Sequence, residues 1–276
     1  MYNRNIVSVI VQRFDRRPRR SRTVPVVHER HLPAIKPLTA RSMILSVLLG
    51  YHPPELPVSA LVRVGGLFDV AERTTRVALS RMVAEGDLLT DNGVYRLTDR
   101  LVRRQVRQEE SASPRAVPWC GDWEMAVVTS PARPQAERVA LRKNMVDLRL
   151  AELREGVWVR PANLVREVDG VITEQCTFFE CRYQDSADLV CRLWDLEDWA
   201  GAARQLHEEM AAPTGLREDF MVIAEAIRHL RLDPYLPPEL LPATWPGQDL
   251  RERYIGFRDE FAQRLRDYST SPVAST

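Results

Sequence analysis

Apolar positions recur with helical spacing across residues 38–51, where Met43, Leu45, Val47, Leu48 and Leu49 follow Thr39. The run His52-Pro53-Pro54 stops the pattern, which predicts a first helix. Pro57 stands where a second helix begins, Val58, Leu61 and Val62 give it an apolar face, and Gly65-Gly66 is expected to break it. Asp69, with Glu72 three residues on, has the spacing of a capping box and heads a third helix that Gly86 would stop. At 100° per residue, Ala71, Thr75, Ala78, Leu79 and Met82 share one side of that helix. Arg73, Arg76, Val77 and Ser80 share the other, flanked by Thr74 and Arg81. Two short strands at 88–90 and 94–97, joined by Asp91-Asn92-Gly93, read as a tight hairpin. Thr98 can cap a further helix that carries Arg100, Arg103, Arg104 and Arg107 along a single face. From Glu109 to Pro118 no apolar period remains, which reads as a linker.

Beyond Trp119 the pattern changes. Residues 125–129 read as a strand, 135–155 as one long helix, and 157–159, 176–183 and 189–194 as strands. This order predicts an α+β body with helices on one face of an antiparallel sheet, of ferredoxin-like topology. After Asp195 the chain reads as helical, with helices to about Met210 and over 217–230 and 248–268. Between the last two lies DPYLPPELLPATWPG, too rich in proline for regular structure. The expected organisation is a basic, disordered leader over 1–37, a winged helix-turn-helix over 38–110 and a linker over 111–118. A ferredoxin-like domain over 119–195 and a helical C-terminal domain over 196–276 complete it.

Composition adds limits. With 45% hydrophobic and 28% charged residues in 276, the chain is globular, and its longest apolar runs, such as 43–49, fall short of the ~20 residues that cross a bilayer. The arginine-rich N-terminus lacks the apolar stretch of a secretory signal, so a cytoplasmic, nucleoid-associated location with no membrane partner is expected. The net charge of +1 conceals an asymmetry: residues 1–36 hold nine Lys and Arg against Asp15 and Glu29. A basic arm on a mildly acidic body suits a polyanion. Cys120, Cys176, Cys181 and Cys191 have no metal-ligand spacing and read as buried thiols.

A helix enters the major groove only if its exposed side is polar, rich in donors and unobstructed, because base edges there are read by hydrogen bonds and methyl contacts. The stripe Arg73, Arg76, Val77 and Ser80 has that character: Arg suits guanine, Val a thymine methyl, and Ser or Thr a base edge or phosphate. The hairpin would place Asn92 and Arg96 near an adjacent backbone or minor groove, and the arginine face behind it could hold phosphates. Three helices, a small-residue turn, a donor-rich third helix and a hairpin together predict a winged helix that binds double-stranded DNA.

Three stretches resemble the PaaX-like transcriptional regulators, a family named for repressors of phenylacetate degradation: ERTTRVALSRMVAEGDL, WCGDWEMAVV with the later GVWVRP, and LDPYLPPELLPATWPG. The resemblance covers about residues 38 to 268. It implies a homodimer with a winged-helix head, a ferredoxin-like dimerisation domain and an effector-related helical C-terminal domain. It also implies repression at a palindromic operator, relieved by a small effector such as an aryl- or acyl-coenzyme A thioester. The family's recognition pattern falls on Arg73, Thr74, Arg76, Ser80 and Arg81. The leader lies outside the resemblance.

For the phosphates of such a thioester, Arg142, Lys143 and Arg154, all placed on the long middle helix, are the candidates. The six tryptophans read as core, and His207 and His229 as solvated helix positions. An effector-independent architectural DNA or RNA binder would share the winged helix but would not need so large a non-basic body. A metal-dependent nuclease on the ferredoxin-like fold would need carboxylates at the end of the first strand, where MAVVTS offers none and Asp122 precedes it. No phosphate loop, Ser/His/Asp set or HExxH is present, so no enzyme, catalytic residue, metal or cofactor is expected.

Overall fold

The computed structural model describes residues 39–51, 53–130 and 134–270. The leader, the last six residues, His52 and the side chains of Arg104 and Arg107, on which expectations above also fall, lie outside what is described.

In helix α1 (Ala40–Leu49), the Thr39 hydroxyl accepts from the Ser42 amide at 3.1 Å, satisfying one of the free N–H groups of the first turn. Strand β1 (Glu55–Pro57) follows, then α2 (Val58–Leu67), α3 (Glu72–Ala84), and the hairpin strands β2 (Leu88–Asp91) and β3 (Val94–Leu97). The sheet order is β1-β3-β2, all antiparallel, which is the topology of a winged helix. Only Asn92 (φ 48°) and Gly93 (φ 77°) connect β2 to β3, and their positive φ values give the turn the twist of its strands. Met43, Ile44, Leu48, Leu61, Val64, Leu79, Met82 and Leu88 form the core.

Strand β1 is absent from the sequence reading because the two residues between Pro54 and Pro57 carry no periodicity; Pro57, lacking an N–H, is tolerated because β1 lies at the sheet edge. Gly65-Gly66 does not break α2 but lies inside it. Asp69 does not cap α3: Ala71 stands at the cap, Asp69 is left-handed (φ 57°), and its carboxylate bonds Arg217. Thr98 stands directly before the next helix, α4 (Asp99–Ala112), with its carbonyl accepting from the Val102 amide at 2.9 Å, and its hydroxyl donates to the carbonyls of Gly86 and Asp87. That helix also runs on into the stretch read as linker.

The body contains β4 (Asp122–Val128), α5 (Gln135–Asp147), β5 (Ala151–Arg154), β6 (Val157–Pro161), α6 (Gly170–Gln175) and β7 (Cys176–Arg182). Its four-stranded antiparallel sheet has the order β5-β6-β4-β7, the split βαβ arrangement of a ferredoxin-like fold. Side chains alternate across it. Ala126, Trp158 and Cys176 meet Leu141 and Met145 of α5 and Ile172 of α6 on one face. Trp123, Met125, Val157 and Val159 form a second core on the other, covered by α7 (Ser186–Leu193) and by Leu236 of the proline-rich connector.

The long helix expected over 135–155 is two elements. Arg149, left-handed at φ 60°, ends α5 with the Leu150 amide bonded to the Met145 carbonyl at 3.0 Å, and β5 then turns back through Glu155 and Gly156 into β6. Of the residues expected as a strand at 189–194, 189–193 belong to α7 and Trp194 follows as its extended C-cap; the Asp185 carboxylate caps the Asp188 amide at 3.1 Å. Cys176 is buried, but Cys120 and Cys191 are exposed, against expectation.

Helices α8 (Leu196–Glu209), α9 (Leu216–Leu232) and α10 (Gly247–Thr270) form a helical C-terminal region. Trp199 stacks between His229 at 4.5 Å and Trp245 at 4.6 Å, so His229 is a core residue rather than a solvated one. Phe220, Phe261 and Leu265 extend into the winged-helix core, with Phe220 edge-on to Phe68 at 4.9 Å. The fold is α+β, and among the described residues no helix is long and apolar enough to cross a membrane.

Candidate nucleic-acid interface

Helix α3 is seated by Thr75, Leu79 and Met82, which are buried, and by a close approach to α2. A Cβ on Gly65 would come within 2.7 Å of Thr75 Oγ1, so only glycine admits α3 at this separation. The opposite side of α3 is exposed: Arg73, Thr74, Arg76, Val77, Ser80 and Arg81 all face solvent, Val77 at 44%. Glu72, Arg73, Arg76, Val77, Ser80 and Arg81 line one shallow hollow. Arg76 is paired with Glu72 at 2.8 Å one turn earlier, and the Ser80 hydroxyl donates to the Arg76 carbonyl at 3.1 Å. Arg73 and Arg81 have no ion-pair or hydrogen-bond partner among the described residues. An exposed i,i+4 pair is worth only about 0.3–0.5 kcal/mol, so Arg76 can exchange Glu72 for a base edge at little cost.

Asn92 sits at the hairpin tip, while Arg96 stands in the central strand β3 between Glu55 of β1 and Leu89 of β2. Arg100 does not join the arginine face proposed for phosphates. Together with Arg41 it bonds the carboxylate of Asp87, which is 2% exposed and begins the turn into β2. Asp87 thereby ties the starts of α1 and α4 to the end of α3 and fixes the angle at which α3 is presented. Asp87 and Gly65 are the positioning residues that the sequence reading missed. The signal available for Asp87 was an acidic residue directly after a helix-ending glycine, between two helices that each carry arginine as the second residue.

On the body, Arg142 and Lys143 lie on α5 and Arg154 on β5, so the three do not share a helix. Arg142 bonds Glu152 and lies 5.3 Å over the ring of Trp158, and Lys143 pairs with Asp147 at 2.8 Å. Asp122 opens β4 and bonds Arg182 at 2.6 Å; that hydrogen bond holds its carboxyl below the usual carboxylate range. Among the described residues no three His, Cys, Asp or Glu side chains group so as to hold a metal ion.

Three family models match in succession. Residues 39–101 match one described as PaaX-like protein, 116–189 the PaaX protein central Cas2-like domain, and 194–271 the PaaX-like protein C-terminal domain. The chain belongs to the PaaX family. Among solved structures it is similar to the uncharacterized protein Rv0674 from Mycobacterium tuberculosis, at 45% identity and a TM-score of 0.72, covering 84% of this chain and 99% of that one. No curated protein matches. Membership in the PaaX family makes the protein a transcriptional regulator. The first PaaX match contains all of α3 and the hairpin, so the stripe on α3, Asn92 and Arg96 fall within it.

Proposed function

We propose that this PaaX-family regulator binds a palindromic operator in double-stranded DNA as a homodimer, with α3 in the major groove and the β2–β3 hairpin beside it. The observation that carries the reading is the exposed stripe Arg73, Arg76, Val77 and Ser80, set opposite the buried Thr75, Leu79 and Met82. It offers two guanidiniums for guanine, a methyl contact for thymine and a hydroxyl, with Thr74 and Arg81 flanking for phosphates. Asn92 and Arg96 on the hairpin extend the contact along the backbone. The family resemblance supports repression relieved by an aryl- or acyl-coenzyme A thioester. Arg142, Lys143 and Arg154 are candidates for its phosphates, which would displace the carboxylates now paired with the first two.

Selection of genomic fragments by the purified protein supplies the site. Arg73→Ala and Arg76→Ala are each expected to cost about 1–3 kcal/mol of affinity there and to relax specificity. Unchanged affinity and specificity in the double variant would remove α3 as the reading element. Titration of the complex with coenzyme A thioesters tests the effector, and failure of every thioester to release DNA rejects that ligand class. Light scattering tests the dimer.

A further inference from the structure

Where the sheet, the proline-rich connector and the first turns of α10 meet, arginines collect in the interior. Arg160 of β6 shares the inward face of Trp158 and is 0% exposed. Every contact it makes is with a neutral acceptor: the Pro161 carbonyl at 3.0 Å, Asn163 Oδ1 at 2.7 Å, and the carbonyls of Arg149 and Tyr235 at 3.4 Å. Around it stand Arg149, whose Nε donates to the Asp233 carbonyl at 2.8 Å, and Arg166, paired with Glu124 at 2.6 Å. Arg251 is bonded to the buried carboxylate of Asp233 and lies 4.5 Å from the ring of Tyr235. Glu124 is paired with Arg166 and Asp233 with Arg251, and although both carboxylates attract Arg160, neither hydrogen-bonds it, so two carboxylates serve four guanidiniums.

Two donors in this cluster, Arg166 Nε and Arg251 Nε, are buried without a hydrogen-bond partner. Buried N–H groups are almost always satisfied, and a buried charge is normally paired. Burial, with the neighbouring guanidiniums adding to it, depresses Arg160 and Arg149; Arg149 falls to about 10, chiefly through desolvation, and still carries its charge at neutral pH. An anion relieves both faults at once, because a planar or tetrahedral oxyanion accepts from arginine forks in two directions.

We propose that the cluster binds the oxyanion group of a small ligand, a phosphate or a carboxylate, entering beside Arg149 and Arg166, its least buried members. Arg166 Nε donates to it, and its charge offsets that of Arg160. The site uses none of Arg142, Lys143 and Arg154, and through Arg251 it includes the helix, α10, whose later residues Phe261 and Leu265 reach the winged-helix core. Its existence does not depend on DNA binding.

The test is the melting temperature of the full chain, without DNA, titrated with sodium phosphate and with sodium acetate against sodium chloride at equal ionic strength. A saturable rise beyond chloride with phosphate, acetate or both supports the site, and the stronger of the two identifies the group. Equal curves in all three salts overturn it. Arg166→Gln should weaken the response about tenfold or more, whereas Glu124→Gln, which removes the competing carboxylate, should strengthen it. An unaltered response in Arg166→Gln, or a weaker one in Glu124→Gln, overturns the assignment; because the two variants move in opposite directions, loss of folding in one leaves the other decisive.

Discussion

Replacing Gly65 by alanine tests how α3 is seated. The added Cβ would stand 2.7 Å from Thr75 Oγ1 and 3.4 Å from Met43 Cε and the Val70 carbonyl, against a buried side chain and a backbone that have little room to yield. Alanine gains about 1 kcal/mol in helix propensity, and overpacking costs about 1–3 kcal/mol, so the single variant should lose up to about 2 kcal/mol. Thr75→Ala removes the obstructing oxygen along with a buried methyl and a long bond to the Ala71 carbonyl at 3.4 Å, for about 1 kcal/mol alone. In the double variant the clash is gone while the propensity gain remains. The pair should therefore be more stable than the sum of the singles by about 1–3 kcal/mol. Urea unfolding reads this directly, since at an m-value of about 3 kcal/mol/M a 2 kcal/mol coupling moves the midpoint by about 0.7 M. Additivity within about 0.5 kcal/mol would show that Gly65 and Thr75 do not set the separation of α2 and α3.

Asp87→Asn should lower stability by about 2 kcal/mol in the same assay, less than the roughly 3–5 kcal/mol for breaking a fully buried pair because Arg41 and Arg100 are half exposed; an unchanged midpoint would remove Asp87 as the tie between α1, α3 and α4. Gly93→Ala places a Cβ at φ 77° and should cost about 1–2 kcal/mol, with hydrogen exchange quickened first in β2 and β3; exchange quickened elsewhere instead would contradict the hairpin geometry. Arg182→Ala should raise the titration midpoint of Asp122, followed by NMR, toward the ordinary carboxylate value. Since the folded carboxyl is depressed, the stabilisation from this pair exists above the unfolded midpoint and fades as pH falls through the folded one, so wild type and variant should converge in strong acid.

The head was legible because long-range packing there agrees with local pattern. Ten or more residues of α3 repeat at 100° with all the bulk on one side, and Asn92-Gly93 between alternating residues leaves few options but a hairpin. The sequence misled where one residue overrode the period. The helix pattern runs through 135–155 almost without interruption, and only the left-handed turn at Arg149 and the pairing of β5 with β6 reveal two elements. Likewise 189–194 has apolar spacing compatible with either state, and the cap at Asp185 decides it. Residues whose role depends on distant partners were invisible for a different reason. Asp87 meets Arg41 and Arg100 across 46 and 13 positions, and Arg160 meets Tyr235 across 75. The alternation of β6, which puts Arg160 on the same face as Trp158, was the one local sign that a guanidinium points inward.

The central claim is that the exposed face of α3 reads bases. Methylation interference on the selected DNA tests it, because a methyl on guanine N7 removes the acceptor that an arginine fork requires. Wild-type binding should be abolished by methylation at particular guanines in each half-site, and Arg73→Ala or Arg76→Ala should become indifferent to one of them. Identical interference patterns for the wild type and both variants would contradict the account.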